Sequence, residues 1–188
     1  RRGGIVAMKL EDGDRLVNAL ITNGDKDIIV GTKKGLAIRF HESNVREMGR
    51  TAIGVRGVKL RQTDAVIGVE IADNAKYLLT ISRNGIGKKT QMGEYNRTNR
   101  GGIGVINMKV TDKSGEVVAV LSVDDEDEIM FISKMGIAIR IPVSGVSSIG
   151  RNTQGVRVMK LENNDEVVAA AKIAKSKANG SDESNSSL

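Results

Sequence analysis

A short motif of an apolar residue, Lys and a second apolar residue returns at near-constant spacing along this chain. It stands at Met8-Lys9-Leu10, Val58-Lys59-Leu60, Met108-Lys109-Val110 and Met159-Lys160-Leu161, with the lysines 50, 50 and 51 residues apart. Two further landmarks keep the same step. Gly35, Gly85 and Gly136 occur in Thr32-Lys33-Lys34-Gly35-Leu36, Ser82-Arg83-Asn84-Gly85-Ile86 and Ser133-Lys134-Met135-Gly136-Ile137. A basic step recurs at Gly49-Arg50-Thr51, Asn99-Arg100-Gly101-Gly102 and Gly150-Arg151-Asn152-Thr153, its Arg always nine residues before the Lys. Three landmarks in register define a repeat, and a repeat fixes the architecture before any motif does.

Within each unit the apolar residues come in short runs, at 16–22, 65–72, 116–123 and 166–174, and again at 28–32, 77–82 and 129–133. Val and Ile dominate them, and Gly, Asn and Asp bound them, which is the pattern of strands. Near-continuous apolarity implies sheets covered on both faces. Lys34-Gly35, Asn84-Gly85 and Met135-Gly136 suit tight hairpin turns, where Gly supplies positive φ. Helical repeats would show a period of 3.6 residues, which these runs lack. A period near 50 with about four strands per unit predicts an all-β, propeller-like array of four-stranded blades, three complete and one partial. The expected units are about 1–48, 49–98, 99–149 and 150–174. A linker at 42–48 could make one or two helical turns. Residues 175–188 are too polar to pack and read as a disordered tail.

Composition narrows the chemistry. With no Cys there is no disulfide framework or thiolate metal site, which suits a reducing cytoplasm. A single His, His41, sits in a polar connector and reads as ordinary surface. The acidic run at 124–128 falls where sister units carry loops and lacks the carboxylate spacing of a calcium loop, so it reads as a solvated turn. Gly-rich steps such as Arg100-Gly101-Gly102 have no Gly-Lys-Ser/Thr ending, as a phosphate loop would. No catalytic residue, metal site or cofactor site is expected, and no apolar run is long enough for a membrane span.

The basic residues carry the functional signal. The chain has 29 Lys plus Arg against 23 Asp plus Glu, a net charge of +6. More telling is their recurrence at Arg50, Arg56 and Lys59; Arg97, Arg100 and Lys109; and Arg151, Arg157 and Lys160. A repeat that stacks around an axis turns such recurrence into a belt of positive charge for successive phosphates. No aromatic platform interleaves these charges and no recognition helix is visible, which leaves backbone contact to duplex DNA.

Three segments resemble the C-terminal domain of the A subunit of bacterial-type DNA gyrase. They are Phe40-His41-Glu42-Ser43-Asn44-Val45-Arg46-Glu47-Met48-Gly49-Arg50 with the following Thr51-Ala52-Ile53-Gly54-Val55-Arg56-Gly57-Val58-Lys59-Leu60; Asn84-Gly85-Ile86-Gly87-Lys88-Lys89-Thr90; and Ile149-Gly150-Arg151-Asn152-Thr153-Gln154-Gly155-Val156-Arg157. The resemblance covers nearly all of residues 1–174. It implies a β-pinwheel, six-bladed in gyrase, that bends duplex DNA around a basic rim. The parent type IIA topoisomerase is an A2B2 complex, in which the N-terminal core of the gyrase A protein joins the ATPase B protein. It then introduces negative supercoils with ATP and Mg2+ bound elsewhere. The family's box Gln-Arg-Arg-Gly-Gly-Lys-Gly is echoed only by Arg1-Arg2-Gly3-Gly4, followed by Ile5 and Val6, and reads as a short later-blade step. Alternatives are the DNA-positioning C-terminal domain of the topoisomerase IV A protein and a propeller scaffold that binds protein.

Overall fold

The computed structural model describes residues 3–173. Eleven strands follow in chain order: β1 (Asp27–Thr32), β2 (Leu36–His41), β3 (Val66–Ile71), β4 (Tyr77–Ser82), β5 (Ile86–Gln91), β6 (Val105–Ile106), β7 (Val117–Val123), β8 (Glu128–Ser133), β9 (Ala138–Pro142), β10 (Val156–Arg157) and β11 (Val167–Ile173). The only helices among the described residues are four single 3-10 turns, and one of them, Glu42–Asn44, occupies the expected linker. The chain is all-β, as the repeat implies.

The hairpins form as their sequences dictate. In β1–β2 the amide of Gly35 donates to Thr32 O at 3.0 Å and Gly35 takes φ +81°, a conformation that costs an L side chain about 1–2 kcal/mol. Gly85 and Gly136 repeat it at φ +72° and +86° in β4–β5 and β8–β9. The Thr or Ser opening each turn adds a bond across it. Leu36 N donates to Thr32 Oγ1, Ser82 Oγ donates to Ile86 O, and Ile137 N donates to Ser133 Oγ.

A sheet, however, is not a repeat. The first sheet runs β3-β1-β2-β6, the second β10-β5-β4-β7, and the third, with three strands, β11-β8-β9. Each hairpin therefore takes its inner neighbour from the next unit, and in two sheets its outer neighbour comes from the unit after that. The inner strands β3, β7 and β11 lie beside one another and line a cavity of about 260 Å³ with Val17 and Asn18. Crowding there is extreme. A Cβ on Gly68 would meet Val120 Cγ2 at 2.9 Å, and one on Gly31 would meet it at 2.7 Å.

Alternation along β4 shows why both of its faces are buried. Tyr77, Leu79 and Ile81 pack with Ile129, Phe131, Val143 and Val167 of the third sheet's side. Leu78 points the other way, into a second core with Ile29, Met92, Tyr95 and Val120. A strand with a packed sheet on each side is apolar on both faces, and its two polar residues, Thr80 and Ser82, bond Asn107 Oδ1 and Ile86 O.

The third sheet departs from that expectation. Ile129 and Phe131 of β8 are fully buried, but Met130 and Ile132, on its other face, are exposed, as is Val168 of β11. No further sheet stacks on this face among the described residues. The run at 16–22, expected as a strand, forms none, and Ile21 is 96% exposed. Its three counterparts each pair with the hairpin preceding them, and no described hairpin precedes residue 16. The expected tail at 175–188 lies outside the described residues.

Candidate nucleic-acid interface

The outer edges of the first two sheets are made by the two-residue strands β6 and β10. The chain reaches each through a glycine held at positive φ, Gly104 at +81° and Gly155 at +91°. A Cβ on Gly104 would lie 2.3 Å from Ala37 O, so only glycine lets this strand dock on β2. Arg157 lies in β10 itself, and Arg56 and Ile106 hold the matching place in the two preceding units.

Along this edge successive units are stitched together at seams. At one, Arg100 Nε donates to Asn44 O at 2.8 Å and its Nη1 to Arg56 O at 3.0 Å. Lys59 N donates to Gly102 O at 2.8 Å and Gly101 N to Gly57 O at 2.6 Å. At the next, Arg151 Nη1 donates to Ile106 O at 3.0 Å, and Lys109 N donates to Thr153 O at 2.9 Å. The amide of Arg151 donates to Glu94 Oε2, and its guanidinium sits 6.0 Å from the centre of the Tyr95 ring. Lys9 and Arg50 line one open cleft with Val6 and Thr51, at the corresponding place one unit earlier. The cations thus collect seam by seam: Lys9 with Arg50; Arg56 and Lys59 with Arg100; Lys109 with Arg151; then Arg157 and Lys160.

The nine basic residues singled out from sequence do not share one role. Arg50, Arg56, Lys59, Lys109, Arg157 and Lys160 are exposed, and none is ion-paired to another described residue. Arg100 and Arg151 are half-buried and spend donors on backbone carbonyls. Arg97 Nε lies 2.8 Å from Asp27 Oδ1, and Arg39 Nη2 lies 2.8 Å from Asp27 Oδ2. Asp27 is fully buried, and these two guanidiniums are its ion-pair partners.

Other groups weighed from sequence have structural partners. His41 Nδ1 is 2.7 Å from Ser43 Oγ and its Nε2 is 3.1 Å from Asp25 Oδ1, which ties the connector's start. In the acidic run, Asp125 accepts from Lys89 Nζ at 2.6 Å, Asp124 accepts from Lys76 N, and Asp127 caps the turn through Asp124 N. Tyr95 is buried, its hydroxyl donates to Asn107 Oδ1 at 2.6 Å, and desolvation raises its pKa. It is no stacking platform.

Sequence reasoning passed over Lys88. Its side chain is buried beneath the seam turn, where its Nζ donates to Gly150 O and Arg151 O at 2.6 Å and to Thr153 Oγ1 at 3.1 Å. The signal was there, since sister units carry Ile38 and Ile139 at this place in the repeat.

A second group of charges lies at one end of the inner strands. Lys33 and Lys34 pair with Glu116 at 3.0 and 2.8 Å, Arg83 spans Glu116 and Glu166, and Lys134 meets Glu166 at 3.3 Å. Here each cation is ion-paired to one of two shared glutamates, unlike the exposed cations of the outer edge.

Comparison with known proteins agrees with the geometry. The family model described as DNA gyrase C-terminal domain, beta-propeller, matches residues 1–23, 26–73, 76–124 and 127–174. The DNA gyrase A protein of Clostridium acetobutylicum is 47% identical over 175 residues, covering 93% of this chain and 21% of that protein. Its counterpart from Haloquadratum walsbyi is 42% identical, covering 90% of this chain and 20% of that protein. The chain therefore spans about a fifth of the length of the curated relatives it matches. A solved gyrase A C-terminal domain superposes with a TM-score of 0.85 at 34% identity, covering 91% of this chain and 58% of that one. The C-terminal domain of a DNA topoisomerase IV shares the fold, with a TM-score of 0.84 at 22% identity, covering 89% and 52%. The chain belongs to the DNA gyrase C-terminal domain family.

Proposed function

We propose that this member of the DNA gyrase C-terminal domain family holds duplex DNA along its outer edge and bends it. Arg50, Arg56, Lys59, Lys109, Arg157 and Lys160 meet phosphates, while Arg97, Arg100 and Arg151 chiefly hold the surface that presents them. One observation supports this above the rest: exposed, unpaired cations recur at each seam on the outer side, whereas the inner cations Lys33, Lys34, Arg83 and Lys134 are each ion-paired to Glu116 or Glu166. A duplex carries one charge per ~1.7 Å of axis, so a series of seams can engage it at several points. Bending a 20–30 bp site by 40–90° costs roughly 1–6 kcal/mol, and phosphates met at one seam after another offset it.

In the longer protein, bent DNA held this way would be delivered to the cleavage core of an A2B2 gyrase in the cytoplasm. The ATP-driven supercoiling chemistry then belongs to other domains and to the gyrase B protein, and this chain contributes DNA geometry rather than a catalytic group.

The test is affinity against duplex length, from short oligomers to a few hundred base pairs, at two salt concentrations. Affinity that climbs with length and falls steeply with salt supports guided bending. Saturation on short duplexes would instead fit a domain that positions DNA, as in the topoisomerase IV alternative. No binding at low salt would point to a protein scaffold.

A further inference from the structure

Three charged side chains are buried among the described residues: Asp27, Lys88 and Lys89. Asp27 meets two guanidiniums, and Lys89 meets Asp125. Lys88 meets only neutral oxygens. An ammonium taken from water is costly unless its donors are used, and all three are used on one turn, 150–153.

That turn is what the next seam hangs on. Thr153 O receives the amide of Lys109, and Arg151 Nη1 reaches Ile106 O. The exposed cation Lys109 is thus two bonds from the buried one, through Thr153. The preceding seam is built without a buried charge. There Ile38 lies beneath the turn, and the residue matching Thr153 is Gly102, where a Cβ would rest 3.4 Å from Ile38 Cδ1. Lysine goes with a threonine hydroxyl, isoleucine with a bare glycine. The two seams solve one packing problem with different chemistry.

We propose that Lys88 is a positioning residue for the outer edge, its ammonium clamping the 150–153 turn so that Lys109 is presented to DNA. This rests on the DNA-binding reading above. Removing those three bonds loosens this seam and leaves the one at Ile38 untouched. Burial pushes Lys88 down to about 8, with Glu94 opposing and the Arg151 charge adding to the shift. The charged and titratable groups around it are Glu94 and Tyr95 from the connector, Arg151 from the turn and Arg157 from β10; its partner on β4, Thr80, is uncharged. That desolvation makes the three bonds to the 150–153 turn the compensation for burying the ammonium.

Lys88→Ile installs the residue that two sister units already use. Two readouts decide, both on the whole chain. In amide hydrogen exchange, the variant is expected to lose protection at Lys109 and keep it at Lys59, whose amide bonds the other seam. In DNA binding, the slope of log K against log salt is expected to fall by about 0.9, the share of one phosphate. Thr153→Val, which removes one oxygen at nearly constant shape, should reproduce part of the exchange effect. Unchanged Lys109 protection in both variants overturns the clamp. Loss of Lys109 protection with an unchanged salt slope overturns its role in DNA binding. If the wild-type chain binds no DNA, the functional reading fails, and the exchange experiment still decides whether the clamp exists.

Discussion

The inner strands and the outer strands of this molecule come from the same repeats and are built to opposite ends. β3, β7 and β11 run six or seven residues each, and Gly68 of β3 and Gly31 of β1 leave no room for a Cβ against Val120 of β7. The cations at their end, Lys33, Lys34, Arg83 and Lys134, are each ion-paired to Glu116 or Glu166. β6 and β10 have two residues each, are exposed, and carry or adjoin cations with no acidic partner. Burial favours neutrality and close packing; a phosphate surface needs the reverse. On the proposed function, stability would rest on the inner strands and DNA binding on the outer ones.

The sharpest way to break that separation is to damage one region and read the other. Leu79, fully buried between the second and third sheets, should cost about 2–5 kcal/mol of stability as Leu79→Ala, whereas Arg157→Ala should stay within about 0.5 kcal/mol. Chemical denaturation of both variants checks this, and a large loss for Arg157→Ala would erase the distinction. Arg151 is the intermediate case, facing outward yet bonded to Ile106 O. Arg151→Ala should cost about 1–2 kcal/mol, and Arg151→Lys, keeping charge but not the guanidinium, should recover little of it.

The smallest effect tests the inner ion pairs. Bonds from Lys34 and then Lys33 hold the Glu116 carboxyl down at about 2, against an ordinary 4.5. A depressed carboxylate contributes stability that is fully present above 4.5 and is lost as pH falls through about 2. Glu116→Gln should therefore match the wild type near pH 2 and trail it near neutrality by ~0.2–1 kcal/mol, since the lysines are partly solvated. An equal gap at both pH values would mean that Glu116 acts by packing rather than charge.

How much of this was legible in the sequence depends on whether a feature is local. The turns at Gly35, Gly85 and Gly136 were, because positive φ and a preceding Ser or Thr hydroxyl are satisfied within five residues. So were the all-β class and the runs that became β3, β7 and β11. The run at 16–22 looked the same as these and is not a strand, because pairing needs a hairpin that composition does not reveal. The distribution of strands over sheets was hidden for the same reason: β6 bonds a hairpin some seventy residues back through only two residues, Val105 and Ile106. Among the cations, recurrence identified the outer edge but not the division of labour. Arg97, Arg100 and Arg151 look like Arg56 and Arg157 until their carbonyl and carboxylate partners are seen. Lys88 was passed over because a lysine in a strand is ordinarily read as exposed, and its three oxygens come from a turn about sixty residues away.

The most direct measurement compares two charge-matched triple variants for duplex DNA binding across a range of salt. In one, Arg56, Arg157 and Lys160 become Gln on the outer side; in the other, Lys33, Arg83 and Lys134 become Gln at the inner end. If the outer edge carries the DNA, the slope of log K against log salt falls by about 3 in the first variant and stays at the wild-type value in the second. Equal loss in both would mean that net charge alone attracts the duplex, and loss only in the second would place the DNA at the inner end.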